Sequence, residues 1–202
     1  MARFALSKSA LQRERQNLKM FERFLPSLDL KRRQLMAEQS RALEALSQVE
    51  AQVATLVPDT GRSIPMLANK DIEIGKLVQI ESVQIGEENV VGVRLPVLEK
   101  VDTKMEEYAL LAKPHWVDAV GDRLREILEL KIQIQVLSER VLRLDQAIRR
   151  TTQRVNLFDK VLIPGARKHI KRIQIFLADT ERAAVVRSKI AKGRHEPTTA
   201  PT

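Results

Sequence analysis

Residues 120–162 read VGDRLREILELKIQIQVLSERVLRLDQAIRRTTQRVNLFDKVL, and this stretch decides the fold. Large apolar residues recur in it with a period of seven, and Arg123 and Thr151 are the exceptions. A repeat held in phase for this length predicts a coiled coil, and β-branched residues at position a with Leu at d favour two strands. The repeat is carried by Val120, Ile127, Ile134, Val141, Ile148, Val155 and Leu162 at a, and by Leu130, Leu137, Leu144 and Phe158 at d.

The beginning of the chain supplies a second helix with the same period, over residues 4–57. Its exceptions are Glu14 at d, and Arg32 and Gln39 at a, and polar residues at a restrict register and partner. The seam positions of this helix are Leu11, Leu18, Leu25, Leu46 and Val53 at a, and Phe21, Leu28, Leu35, Ala42, Val49 and Leu56 at d.

Prolines interrupt both helical patterns. Pro26 removes one intrahelical hydrogen bond and predicts a kink, because the apolar repeat resumes in phase after it. The run Pro58-Asp59-Thr60-Gly61 predicts the end of the first helix. Pro164 and Gly165 interrupt the last helix, whose pattern then continues less regularly to about Lys192.

The segment between the helices has a different character. Residues 76–85 and 90–95 are rich in β-branched side chains, and they flank the turn-forming sequence Gly86-Glu87-Glu88-Asn89. This arrangement predicts a β-hairpin over about 76–96, with its second strand ending at Pro96. A short helix is expected around 102–112, before Pro114.

The predicted fold is therefore dominated by α-helix: a long antiparallel two-helix coiled coil with a small inserted β-hairpin and a short helix. We divide the chain into an N-terminal coiled-coil helix (1–57), a head insertion (58–115), a C-terminal coiled-coil helix (116–192) and a disordered tail (193–202). If the helices pair from the head outwards, the last helix overhangs the first by about 20 residues, or about 30 Å. A parallel homodimer is the competing geometry.

Composition agrees with long helices and restricts the class of protein. Aromatic residues make up 3% of the 202 residues although 44% are hydrophobic, so few large side chains are available for a globular core. No cysteine is present, and no apolar run is long enough to cross a bilayer. The net charge of +9 favours anionic partners, either nucleic acid or an acidic protein surface.

The sequence carries no recognisable catalytic constellation. Phosphate-binding loops, nucleophile elbows and metalloprotease helices are missing from it. His115, His169 and His195 lie far apart in sequence, and the pair Glu87-Glu88 is expected in a solvated turn. We therefore expect a non-catalytic protein with no catalytic residues, no metal and no cofactor.

Several motifs resemble the D-subunit family of V/A-type ATPases (ATP synthases). Residues 154–164, RVNLFDKVLIP, are similar to the family signature that begins RVN and ends IP. The continuation of that signature is matched by residues 170–173 and 179–182. The motif of the family's first helix resembles residues 28–35, and the sequence of its hairpin resembles residues 91–96. These matches occur in the family's order and cover most of the chain.

The resemblance implies a central rotor stalk in a rotary ATPase. Its termini would insert into the bore of the A/B catalytic hexamer, the F subunit would bind its side, and the head would dock on the membrane rotor through the C/d subunit. The shaft would couple ATP hydrolysis or synthesis to H⁺ or Na⁺ transport from the cytoplasmic face, touching the membrane only through partners and binding no nucleic acid. The residues assigned to partner binding are Lys31, Arg32, Arg33, Arg150, Arg154, Asn156, Arg187 and Lys189.

Two other functions remain open from the residues alone. The basic clusters on the helices are typical of a nucleic-acid-binding coiled coil, although the aromatic stacking platforms of such proteins are scarce here. A scaffold that self-associates through its apolar seams would have a similar pattern.

Overall fold

The computed structural model describes residues 6–68, 77–105 and 116–195. Three long helices dominate it, and a two-stranded antiparallel hairpin lies between the first and the second, which confirms the predicted fold class. Two compact units contain these elements: Met1–Leu30 with Thr152–Thr202, and Lys31–Thr151. The elements are α1 (Lys8–Ser63), a 3-10 helix (Pro65–Ala68), β1 (Val78–Val90), β2 (Val93–Met105), α2 (Trp116–Leu157), a π-helical turn (Phe158–Leu162) and α3 (Ile163–His195).

In the unit Lys31–Thr151, α1 and α2 run antiparallel, and the buried residues form two apolar clusters. Leu35 and Leu144 are both fully buried in one cluster, and Ile64, directly after the end of α1, packs against the cluster that contains Val120. Later residues of α1 therefore meet earlier residues of α2. Removing large apolar side chains from water is the main favourable term that holds such a pair together.

In the unit formed by Met1–Leu30 and Thr152–Thr202, α1 also runs antiparallel to the C-terminal helices. The rings of Phe21 and Phe158 meet edge to face in the seam, with centroids 5.5 Å apart and planes at 89°. Glu22 pairs with Arg167 at 2.8 Å, and Lys8, nearer the chain start, pairs with Glu181 at 3.4 Å.

The heptad register predicted for α1 is confirmed, since every seam position from Leu11 to Leu56 is buried or half-buried. The register predicted for α2 is incomplete. Ile132 and Val136 lie outside the predicted seam, yet each is only 8% exposed. Val136 lines a groove with residues of both α1 and β2, so α2 packs on two neighbours here. A helix with two neighbours needs a wider apolar face than a heptad seam provides.

The π-helical turn shifts the seam by one residue. A continued repeat would place His169 and Arg172 in the seam, but the residues that follow them, Ile170 and Ile173, occupy it, and Ile173 is fully buried. The turn is π-helical because the amide of Ile163 donates to the carbonyl of Phe158, five residues back. Pro164 lacks an amide hydrogen and its ring crowds the carbonyl of Lys160, so a wider turn relieves a local clash.

The hairpin turn lies at residues 91–92, later than the predicted 86–89. Val91 and Gly92 form a two-residue turn with φ angles of 52° and 76°, as the type I′ geometry requires. The predicted turn, residues 86–89, instead belongs to β1 and pairs with residues 94–97. Pro96 was expected to end the second strand, but it lies inside β2. A two-stranded sheet tolerates it, since a proline whose nitrogen faces outwards breaks no ladder bond.

Three predicted boundaries are also wrong. α1 does not end at Pro58 but continues to Ser63, and the Thr60 hydroxyl donates to the Leu56 carbonyl at 2.7 Å in the turn after Pro58. A helix was predicted around 102–112, but residues 102–105 form the end of β2. Residues 106–112 lie outside the described residues. The disordered tail was predicted to begin at residue 193, but α3 continues to His195. Residues 196–202 of the predicted tail lie outside the described residues.

Candidate partner-binding surfaces

The tip of the hairpin docks on the coiled coil within the unit Lys31–Thr151. Leu95 of β2 is fully buried against Leu35 and Ala42 of α1 and Leu144 of α2. Val91 packs against the same cluster, although positive φ is unfavourable for a β-branched residue. The strained turn is therefore compensated by burial of the side chain that it carries.

A charged triad ties the hairpin to both helices. Arg140 of α2 donates to Glu38 of α1 at 2.6 Å and lies 2.9 Å from a carboxylate oxygen of Glu88 on β1. The Arg140 side chain is 14% exposed and that of Glu38 17%. Burial opposes the charged form of the guanidinium, but the hydrogen bonds with the two carboxylates outweigh it, so the pKa of Arg140 is raised. Charge neutralisation thus makes this partly buried position tolerable.

The predicted residue Lys31 lies against the hairpin turn. Its Nζ atom is 3.5 Å from the point where a Cβ on Gly92 would lie. Gly92 has a positive φ, which other residues rarely adopt, so any larger residue at this position would have a strained backbone even without a contact with the lysine. Lys31 is thus half-buried, with its ammonium group beside the hairpin turn.

The base of the hairpin packs on the first turns of α2. Leu77, Trp116 and Val117 form part of one buried cluster. In the same region Asp102 accepts a hydrogen bond from Ser82 at 2.9 Å and pairs with Lys100 at 2.6 Å. The hydrogen bond with Lys100 is the largest influence, followed by that from Ser82, and together they lower the pKa of Asp102.

The remaining predicted partner-binding residues are distributed over all three long helices. Arg32 is half-buried on α1, and the others are exposed: Arg33, Arg150, Arg154, Asn156, Arg187 and Lys189. Lys31, Arg32, Arg33 and Arg150 belong to the unit Lys31–Thr151, and Arg154, Asn156, Arg187 and Lys189 belong to the other. They do not form one compact site within a single unit.

The last turns of α3 are exposed on all sides. Lys8, in the first turn of α1, pairs with Glu181, and every described side chain from Glu181 to Lys192 is exposed. Val185 is 61% exposed and Ile190 54%. The Nε atom of Arg187 donates to the carbonyl of Ala183 within the helix, at 3.3 Å. Exposed apolar residues next to cations mark this end as a surface that can contact other molecules.

Two kinds of feature can be judged within residues 6–68, 77–105 and 116–195: metal-binding clusters and membrane-spanning helices. Those residues contain no group of three or more His, Cys, Asp and Glu side chains able to hold a metal ion. No helix in this part of the chain is long and apolar enough to cross a membrane.

Sequence reasoning missed Arg140 and its two carboxylates. The sequence pattern assigns Glu88 to a solvated turn, and Arg140 is in none of the predicted sites. A signal was present in the heptads, because Glu38 and Arg140 both occupy position g, beside the seam. Charged pairs between such flanking positions set the partner choice and orientation of coiled coils.

The long antiparallel helices, the docked hairpin and the exposed helical end define a helical protein that presents surfaces for assembly. A family model for the D subunit of ATP synthase matches residues 10–193. The chain is 33% identical over 192 residues to the V-type ATP synthase D subunit of Borreliella burgdorferi strain B31, covering 95% of both chains. It is 34% identical to that of Chlamydia trachomatis serovar L2, over 93% of both, and 31% identical to that of Chlamydia pneumoniae, over 95% of this chain and 92% of the relative. The chain belongs to the V-type ATP synthase D-subunit family.

Proposed function

We propose that this chain is the central rotor shaft of a V-type ATP synthase, coupling ATP hydrolysis or synthesis in an A/B catalytic hexamer to H⁺ or Na⁺ transport through a membrane ring. The family match over residues 10–193 carries the proposal. The fold supports it, because a shaft must transmit torque and needs helices that support one another along their length. In each compact unit, antiparallel helices are joined by buried side chains and by ion pairs.

The exposed end of α3 is the part of the shaft that we assign to the bore of the hexamer. Residues 183–192 carry Arg187, Lys189 and Lys192 together with the exposed Val185, Val186 and Ile190. A helical end with cations can turn against an acidic wall without deep interlocking, because charge interactions at an exposed surface are weak and only loosely directional. This surface serves as a bearing, and the chain itself has no catalytic role.

The other partners in this proposal are the F subunit on the side of the shaft and the C/d subunit between the head insertion and the membrane ring. Membrane contact is made only through these partners, at the cytoplasmic face. Arg150, Arg154 and Asn156 are exposed on α2, which supports their assignment to partner contacts. Lys31 is less suited to that role because it lies against the hairpin turn.

Purification of the tagged full chain from its native membranes tests the proposal. Mass spectrometry should detect the A and B subunits, a small F-like protein and the membrane ring in fixed proportion. A variant with Val185 and Ile190 replaced by Asp should assemble into less of the complex that couples ATP to transport. Arg125→Gln, a change at an exposed position on α2, is the control and should assemble normally. Recovery of the chain alone, or with nucleic acid, would contradict the rotor assignment.

A further inference from the structure

The two strands of the hairpin differ in how their outer edges are protected. β2 contains Arg94, Pro96, Lys100 and Lys104, the residue types with which natural sheets discourage pairing at an edge. β1, the thirteen residues VQIESVQIGEENV, contains no lysine, arginine or proline. Within the described residues the sheet has two strands, so β1 has one edge without a strand beside it.

The outer strand is exposed along most of its length. Ile80 is 46% exposed, Val83 36% and Ile85 55%, and residues 87–89 are exposed as well. β2, in contrast, contains the buried Leu95 and Pro96 and lines the grooves against the helices. β1 is thus the strand that a second molecule can approach.

The backbone groups that face outwards follow from the two-residue turn. Val90 and Val93 flank it and form a hydrogen-bonded pair, and bonded and non-bonded pairs then alternate along the ladder. Glu88 with Leu95 is a bonded pair, whereas Asn89 with Arg94 and Glu87 with Pro96 are non-bonded pairs. The proline agrees with this alternation, since it has no amide to donate. The N–H and C=O groups of Glu87 and Asn89 therefore point away from β2.

The charges on β1 define what can pair with it. The strand carries Glu81, Glu87 and Glu88 and no basic residue, in a chain whose net charge is +9. Arg140 pairs with Glu88, and Arg94 lies 3.9 Å from Glu87, whose side chain is 57% exposed. A second copy of β1 would still bring more carboxylates beside Glu81 and Glu87, and like charges across a strand pair are destabilising. A strand with lysine or arginine among apolar residues would complement both the carboxylates and the exposed Val83 and Ile85.

We propose that the outer edge of β1 binds an extended strand of a neighbouring protein in the complex that carries basic residues opposite Glu81 and Glu87. The inference rests on the proposed function, which makes this chain a component of a complex. Main-chain hydrogen bonds to Glu87 and Asn89 supply affinity, and the carboxylates supply specificity. The hairpin would thereby become part of a three-stranded sheet, which is more stable than two strands alone.

Amide hydrogen exchange of the full chain, alone and in the purified complex, tests the inference. In the isolated chain the amides of Glu87 and Asn89 should exchange faster than those of Glu88 and Val90, which bond to β2. In the complex we expect Glu87 and Asn89 to slow by at least about tenfold, since each gained hydrogen bond must open before exchange.

Each outcome has a definite meaning. Unchanged exchange in a complex that does contain the A and B subunits overturns the strand-pairing proposal and leaves the rotor assignment standing. Failure to recover those subunits with the chain overturns both. Protection that grows with concentration in the isolated chain identifies a second copy as the occupant and also overturns the proposal.

A matched pair of variants separates backbone pairing from charge. Glu87→Pro removes the carboxylate and the outward amide but no ladder bond, while Glu87→Gln removes only the charge. We expect the proline variant to be retained in the complex at least about fivefold less well than the glutamine variant, the effect of one lost hydrogen bond. Equal retention of the two variants, with circular dichroism unchanged in both, would show that no strand pairs there.

Discussion

Replacing Arg140 with Met should destabilise the chain well beyond the effect of losing a surface ion pair. In the unchanged chain Glu38 is 17% exposed, and after the change Arg41, 3.5 Å from its other carboxylate oxygen, is the cation left beside it. Removing one partner of a fully buried pair costs about 3–5 kcal/mol. Because Glu88 is 53% exposed and can be solvated, we expect about 2–3 kcal/mol. For a chain of this length that lowers Tm by about 4–12 °C.

Urea unfolding followed by circular dichroism and by fluorescence measures this cost. Trp116 is the single tryptophan of the chain and is 9% exposed beside the base of the hairpin, so its emission reports on the unit that contains Arg140. Glu38→Gln combined with Arg140→Met should cost at least about 1 kcal/mol less than the two single changes added together. A loss below about 0.5 kcal/mol for Arg140→Met would refute the claim that the triad holds the hairpin on the helices.

Three further changes test other parts of the structure. Leu144→Ala should cost about 3 kcal/mol in urea unfolding because the side chain is fully buried, whereas Val185→Ala, at 61% exposed, should cost almost nothing; equal costs would contradict the assigned seam. Deleting Lys160 should convert the π-helical turn into α-helix and keep the seam in phase, so helicity should hold while Tm falls because the Pro164 ring again crowds the carbonyl four residues back; a large loss of helicity would contradict the one-residue shift. Asp102→Asn should destabilise the hairpin at neutral pH but less at pH 3. Because the pKa of Asp102 is lowered in the folded chain, its stabilisation is present above about pH 4 and is lost as the pH falls through the folded-state pKa. An equal effect at both pH values would argue against the ion pair with Lys100.

The coiled coil could be predicted because its signal repeats. Each heptad of α1 reports the same face independently, so polar exceptions such as Arg32 and Gln39 did not hide the register. After Leu162 the strict heptad phase is lost, because one extra residue in the π-helical turn moves every later position by one. The sequence still marks that part of the seam by its apolar residues, of which Ile170, Ile173 and Leu177 are buried or half-buried and Val185 is exposed. The shift becomes visible once Ala166 and Ile173 are found buried.

The hairpin was detectable but its turn was not. Gly86 to Asn89 has the composition of a turn, whereas Val91 is a residue that local preference would exclude from positive φ. Its conformation depends on burial against side chains far away in sequence, including Leu35 and Leu144. Local propensity contains no information about such contacts.

The partner-binding residues follow from the family resemblance and from the basic clusters of the sequence, and the structure gives their positions on the helices. The triad was overlooked for a related reason. Arg140 and Glu38 are 102 residues apart, and their pairing depends on how the two helices are aligned. Once that alignment is known, shared g positions make the contact predictable.

Rotation of the chain during ATP hydrolysis distinguishes a rotor shaft from a static scaffold. The chain has no cysteine, so Ser138→Cys on the exposed side of α2 gives one attachment point for a bead. With the A/B hexamer immobilised, we expect added ATP to turn the bead steadily in one direction. A complex that hydrolyses ATP while the bead on this chain stays still would contradict the role of rotor shaft.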